Sequence, residues 1–321
     1  MRAQRAPVAN GGRAQFTVDG PARHLQRALQ LWQGNILSPA IEYAFGAMLF
    51  FGLGDLIYKR GAAAGALAHH FMMVQTWFFV PTVILYGWFT GSLLFNAGAW
   101  WGALAGVFIV IGYYNFAFCL KTGSVSIVAP VFRLSFALTA ALAVLLLGEP
   151  LTLPKVTGLA LALGAVWLLL GGASATDEAA RRRDRALLVR LLVATVAVAL
   201  ANLIYKLGLR AGSTPATLLV AQACTASVLA TSFAARIDGA VRPSRAALRH
   251  ASVAAIVLAT AFILLLQGLV RGEASVLVPV AQMGFVVTAL LGFVFLREPF
   301  TRRKGVGLAV ALGALACLAY G

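Results

Sequence analysis

The tetrapeptide Leu56-Ile57-Tyr58-Lys59 recurs, letter for letter, as Leu203-Ile204-Tyr205-Lys206, 147 residues later. Gly65 and Gln75 recur at the same offset as Gly212 and Gln222. Farther on, Ser126, Pro130, Thr139, Glu149-Pro150, Lys155 and Gly158 reappear 149 residues later as Ser275, Pro279, Thr288, Glu298-Pro299, Lys304 and Gly307. The chain is one unit written twice, and each copy is almost wholly apolar. Such doubling points to a membrane carrier whose binding site lies between the halves.

A soluble domain carries roughly a quarter charged residues, whereas this chain carries 11%, against 61% hydrophobic. Residues 61–120 contain no Asp, Glu, Lys or Arg and would leave a soluble fold no polar surface there. Apolar runs approach the ~20 residues that span a bilayer as a helix. In the first half they cover about 40–59, 68–90, 98–119, 124–147 and 154–172; in the second, about 187–207, 214–235, 251–270, 274–296 and 304–320. The expected fold is an all-α polytopic membrane protein with ten transmembrane helices. Connections this short leave no room for a soluble catalytic domain, and the chain is read as a carrier and not an enzyme.

The formal charge of +16 does not signal nucleic acid. Arg and Lys gather at span ends and in loops, where they meet anionic headgroups and set topology. Cys119, Cys224 and Cys317 lie far apart inside predicted spans, in the spacing of neither a zinc site nor a disulfide framework, so no metal or other cofactor is expected. The tail 1–36 lacks the apolar core of a cleavable signal. Its Ala22, Leu25, Leu29 and Trp32 recur at helical spacing, which predicts a short interfacial helix.

Five spans per half is an odd number, so the second copy (187–321) must enter the membrane opposite to the first (37–172). The expectation is therefore two inverted five-helix repeats, joined by the polar linker 173–186. Sixteen of the 26 Lys and Arg fall on the linker's side and nine on the side of the termini. By the positive-inside rule this places the linker in the cytoplasm and both termini outside.

Gly-Leu-Gly-Asp-Leu-Ile-Tyr-Lys (52–59), Ser-Ile-Val-Ala-Pro (126–130), Gly-Glu-Pro (148–150) and Lys155-x-x-Gly158 with Gly164 resemble an EamA repeat. So do Ser275-Val-Leu-Val-Pro279, Arg-Glu-Pro (297–299), Lys304-x-x-Gly307 and Gly313. Each motif is weak alone, but the ordered set occurs twice. The resemblance is to the drug/metabolite transporter superfamily, over about 40–172 and 187–321. It implies a ten-helix inverted-repeat carrier for small metabolites or amino acids, often an exporter. It also implies both termini in the cytoplasm, against the charge count.

Arg133 falls near the centre of the fourth span. A charge there costs at least ~2.5 kcal/mol, so it must face the bundle interior or a wet cavity. Its repeat counterpart is Gln282, likewise three residues after a proline. Pro130 and Pro279 are expected to leave the carbonyls of Ser126 and Ser275 without helical donors and to kink both spans there. Two kinked, polar-centred helices meeting across a pseudo-twofold make a site for a substrate carboxylate or phosphate; a structural Arg paired with a distant Asp or a backbone carbonyl stands as the alternative. Asp55 and Asn202 occupy matching places in spans one and six. Asp55 has Lys59 at i+4, and that intrahelical pair is the preferred reading over substrate contact. Gln75 and Gln222 hydrogen-bond across helices or line the pathway. Tyr114 completes the substrate-binding candidates, with Tyr113, Asn115 and Gln267 behind it. The Glu-Pro pairs read as helix stops. Gly61/Gly65, Gly87/Gly91 and Gly102/Gly106 read as helix-packing pairs. His69 and His70 open the second span without an apparent third ligand for a metal.

Two proteolytic readings fail. Gly52-Leu53-Gly54-Asp55 spells Gly-x-Gly-Asp, but an aspartyl protease needs two carboxylates sharing a proton. Every other Asp lies in a tail or loop, and the second copy has Asn202. No intramembrane Ser pairs with an intramembrane His. Small multidrug transporters of the superfamily, which resemble half this chain, carry a carboxylate eight residues before the Lys that ends the first span. Phe51 and Val198 stand there. The favoured reading is a plasma-membrane, multi-pass secondary transporter, monomer or homodimer, that moves a small anionic or zwitterionic metabolite by alternating access, in the export direction. A cation/drug exporter and a lipid-headgroup flippase are the alternatives.

Overall fold

The computed structural model describes residues 38–94, 96–122, 128, 132–170, 178–239, 241–296 and 302–320. The tail expected to form an interfacial helix, the motif Ser126–Pro130 and the Glu298-Pro299 pair lie outside the described residues, Val128 excepted. Described residues of the first half form α1 (Pro39–Ala63), α2 (Ala68–Phe89), α3 (Ala99–Thr122), α4 (Ser135–Leu147) and α5 (Leu153–Leu170). The second half forms α6 (Glu178–Arg210), α7 (Pro215–Asp238), α8 (Arg245–Arg271), α9 (Ala274–Gln282), α10 (Gly284–Leu296) and α11 (Arg302–Ala319). No strand occurs among the described residues.

Six helices are long and apolar enough to cross a membrane: α1, α2, Ala99–Leu120 of α3, Arg185–Arg210 of α6, α7 and α8. The other four expected spans appear as shorter apolar helices. Two of the four are broken. Leu134 is a turn between the helical Phe132-Arg133 and α4. Its repeat equivalent Met283 separates α9 from α10, with the Met283 amide shared between Pro279 O (3.1 Å) and Val280 O (3.2 Å). Pro279 does stand inside α9, but the break comes four residues after it, not before it as the sequence suggested. The polar linker is helical from Glu178 and continuous with α6. At 1.5 Å per residue that helix is about 50 Å long, and its polar first turns overrun a ~30 Å hydrocarbon layer.

Neighbours are exchanged symmetrically between the copies. α1 packs on α8 as α6 packs on α3, and α2 packs on α8 as α7 packs on α3. Equivalent helices also meet each other, and they run antiparallel. Along α2 and α7, His70 lies beside Asp238 and Trp77 beside Thr231, while beyond the far end of α2 Leu94 lies beside Thr217. From the α4 end of the first half to α9, Glu149 meets Ala274 while Arg133 meets Gln282. Along α5 and α11, the Cβ position of Gly158 meets Leu318, and Arg303 donates to Leu168 O. Helix reversal between equivalents means that the relating axis lies across the helices.

These seams need small residues because no water is expelled between apolar helices in lipid, and close backbone approach supplies the attraction instead. A Cβ on Gly102 would lie 2.4 Å from Leu218 O, and one on Gly106 2.6 Å from Gln222 O, where α3 crosses α7. Gly52 of α1 approaches the start of α10, its Cβ position 2.6 Å from Gly284 O. Gly65 and Gly91, expected in helix packing, instead end helices at φ +82° and +58° with nothing near their Cβ positions. Their function is the left-handed turn that other residues resist.

Candidate substrate site

The two helix breaks put their polar residues face to face. Arg133, one residue before the Leu134 turn, donates through Nη1 to Gln282 Oε1, one residue before the Met283 turn. Through Nη2 it donates to Asp55 Oδ2 of α1, forming an ion pair. The Arg133 side chain is only 1% exposed and that of Asp55 11%. An isolated charge at such a place would be prohibitive, and a compensated one is tolerated. The partner is a distant aspartate, the pairing that the sequence left open beside substrate contact. Asp55 in turn pairs with Arg133 and not, as expected, along its own helix with Lys59: the partner helix supplies a planar, bidentate-capable guanidinium in a drier place. Arg133 Nε has no partner among the described residues, and neither has the Nδ2 of buried Asn202, the repeat counterpart of Asp55.

Beside this centre the copies build one motif twice. Tyr58 donates its hydroxyl to Gln75 Oε1, and Tyr205 donates to Gln222 Oε1 at 2.6 Å. All four side chains are buried. Aromatic rings join them: Phe116 stacks on Phe132 (centroids 4.1 Å), Tyr113 meets Phe132 edge-on at 5.7 Å, and Phe262 touches Phe51, Phe79, Tyr113 and Tyr205. Between Gln75 and Gln222 a cavity of about 20 Å³ remains, lined also by Thr76, Tyr113 and Phe262. That is room for one water molecule.

Of the seven residues singled out in the sequence, the structure gathers Arg133, Gln282 and Asp55 into one contact set and Gln75 with Gln222 about one cavity. Asn202 is buried on α6, near the level of the Tyr205–Gln222 pair. Tyr114 departs from the set. It lines an outward groove of about 750 Å³ with Phe233, Arg190 and Arg236. Its neighbour Tyr113, ranked below it, is the one that reaches the centre. Asn115 also faces the groove, 3.4 Å from Arg190, and Gln267 donates to Tyr86 (2.5 Å).

One end of the bundle is tied by residues at and beyond the Glu149-Pro150 helix stop. Gly148 ends α4 in the left-handed conformation, at φ +67°. The following Glu149 then turns its carboxylate into the other half, accepting from Ala274 N (2.9 Å) and Ser275 N (2.7 Å). It thus neutralises the positive end of α9. Lys155 donates to Pro150 O (2.8 Å) and to the Glu273 carboxylate. Lys206 donates to Leu269 O (2.7 Å) and Gly272 O (2.6 Å), capping α8, and Arg210 to Leu147 O (2.8 Å), capping α4. The duplicated Glu-Pro and Lys were the visible signal; their partners were not.

A family model described as the EamA-like transporter family matches residues 38–171 and 186–320. The chain belongs to the EamA-like transporter family. It is accordingly a multi-pass membrane protein of the drug/metabolite transporter superfamily. A solved structure, described only as "Crystal structure of protein", superposes on 88% of this chain and 98% of its own with a TM-score of 0.72 at 18% identity. That likeness shows the fold. No curated protein matches the chain in sequence.

Proposed function

We propose that this EamA-like transporter is a plasma-membrane secondary carrier of ten spans that exports a small zwitterion, an amino acid or a compound with the same charge pair, by alternating access between its halves. The observation that carries the reading is the buried Arg133–Asp55 pair at the junction of two broken helices. Broken helices at the repeat interface are where carriers of this kind hold their substrates. A buried pair of opposite charges is neutral as a whole, and so is a zwitterion. A substrate carboxylate would take the bidentate guanidinium from Asp55, and the substrate ammonium would take the freed Asp55 carboxylate, so no charge is stranded at any step. A lone cation would meet Arg133 and a lone anion Asp55, each unfavourably. Gln282, Gln75, Gln222, Asn202 and the tyrosines would supply the neutral hydrogen bonds around the bound molecule. The end tied by Glu149, Lys155 and Lys206 would open and close as the halves rock.

The test is flux in proteoliposomes against amino acids, organic acids and quaternary cations. Arg133→Gln, which copies the second repeat, should abolish transport of the zwitterion, and Arg133→Lys should restore only part of it. Normal transport by folded Arg133→Gln would show that the guanidinium is structural.

A further inference from the structure

The sequence offered His69 and His70 without a third ligand; the fold supplies it from 168 residues away. Asp238, the last residue of α7, lies with Oδ2 3.0 Å from His69 Nε2 and 2.6 Å from His70 Nε2. The three ligand atoms all lie within 4.8 Å of one another. We propose that His69, His70 and Asp238 form a transition-metal site, fitted to Zn²⁺, that bridges the two halves of the molecule.

The donor set is two imidazoles and one carboxylate, which binds zinc with the fourth tetrahedral position left to water. Zinc holds nitrogen and oxygen at about 2.0–2.2 Å, so its ligands stand about 3.3 Å apart. Both Oδ2–nitrogen distances are shorter than this, so the carboxylate would move outward, and the two ring nitrogens, within 4.8 Å of each other, would adjust around the ion. Both rings already present the same nitrogen, Nε2, to one oxygen, and the two rings lie edge to face with centroids 4.6 Å apart. His70 is buried, its Nδ1 has no partner among the described residues, and its Nε2 is the nitrogen that faces the Asp238 carboxylate. Metal binding would replace hydrogen bonds that two histidines now share on a single carboxylate.

The site is not a by-product of duplication. The repeat counterparts of His69, His70 and Asp238 are Ala216, Thr217 and Gly91, none of them ligands. It therefore exists at one end of the antiparallel α2–α7 seam and has no image at the other. At that other end Thr217 bonds the backbone of Leu94 and Thr214 the carbonyl of Ser92. A bound ion would tie the start of α2 to the end of α7. On the carrier reading given above, it would hold that end shut.

The experiment uses the full chain purified in detergent without a histidine tag and stripped with chelator. Calorimetric titration with ZnCl₂ should give one ion per chain. Titration with CoCl₂ should give the visible absorption of tetrahedral cobalt. Asp238→Asn and His69→Gln should each weaken Zn²⁺ binding at least tenfold while leaving thermal unfolding of the metal-free protein near that of the parent. Cys224→Ser, which removes an exposed thiol, should leave binding unchanged. The proposal is overturned if the parent binds no saturating ion, if Asp238→Asn binds as tightly as the parent, or if Cys224→Ser abolishes binding. These readouts need no transport, so failure here would not touch the substrate reading. If both hold, ZnCl₂ should slow flux by the parent and not by Asp238→Asn.

Discussion

Removing one member of the Arg133–Asp55 pair should destabilise the fold, and by unequal amounts. In Asp55→Asn the guanidinium keeps its charge, because arginine does not lose its proton in proteins. With a 1% exposed side chain and only amide oxygens left to face, that charge is uncompensated. Breaking a buried pair in this way costs about 3–5 kcal/mol, roughly a hundred to a few thousand in the folding equilibrium. Arg133→Gln strands a carboxylate instead, and a stranded carboxylate can take up a proton, so its cost should be the smaller of the two. The double variant Asp55→Asn/Arg133→Gln removes both charges and leaves amides that can bond one another. It should be more stable than Asp55→Asn alone, with a coupling of at least about 2 kcal/mol. Reversible unfolding in mixed detergent micelles, followed by tryptophan fluorescence, measures all four species. Additive single effects, or an Asp55→Asn cost under about 1 kcal/mol, would refute the claim of a buried, mutually compensating pair.

Other expectations follow from the same geometry. Gly106→Leu should prevent folding, since its Cβ position lies 2.6 Å from Gln222 O, whereas Gly164→Ala meets nothing within 4 Å and should be neutral in the same unfolding assay. Glu149→Ala should cost about 1–3 kcal/mol by leaving the buried amides of Ala274 and Ser275 unpaired, and unfolding midpoints will read it. Because Phe51 and Val198 stand where a proton-binding carboxylate is needed, vesicles should show no uncoupler-sensitive ethidium efflux; observing it would restore the cation-exporter alternative.

What the sequence made legible was whatever the duplication or the helical period encodes. The apolar runs located the six long spans to within about six residues at either end, and the polar linker proves to continue into α6 as helix from Glu178. The recurrence of Gln75 and Tyr58 as Gln222 and Tyr205 foreshadowed two matching hydrogen bonds. Partners brought together only by packing stayed hidden. Asp55 is 78 residues from Arg133, and its i+4 Lys59 was the nearer suggestion. Asp238 is 169 residues from His69. Tyr113 and Tyr114 differ by one helical step of about 100°, which sends one ring to the centre and the other to an outer groove; an apolar span with no polar face gives no phase to tell them apart. Gly65 and Gly91 carried the four-residue spacing of a packing pair but serve as turns, because each lies just past the end of its helix.

The central claim, a charge pair that exchanges itself for a zwitterion, is tested most directly by one comparison in proteoliposomes. Counterflow of an amino acid found to be a substrate is measured beside its decarboxylated amine and its deaminated acid, on the parent protein. The intact zwitterion should be carried, and each half-charged analogue at least tenfold more slowly, since either strands a charge in the buried site. Equal counterflow of the amine or the acid would contradict it.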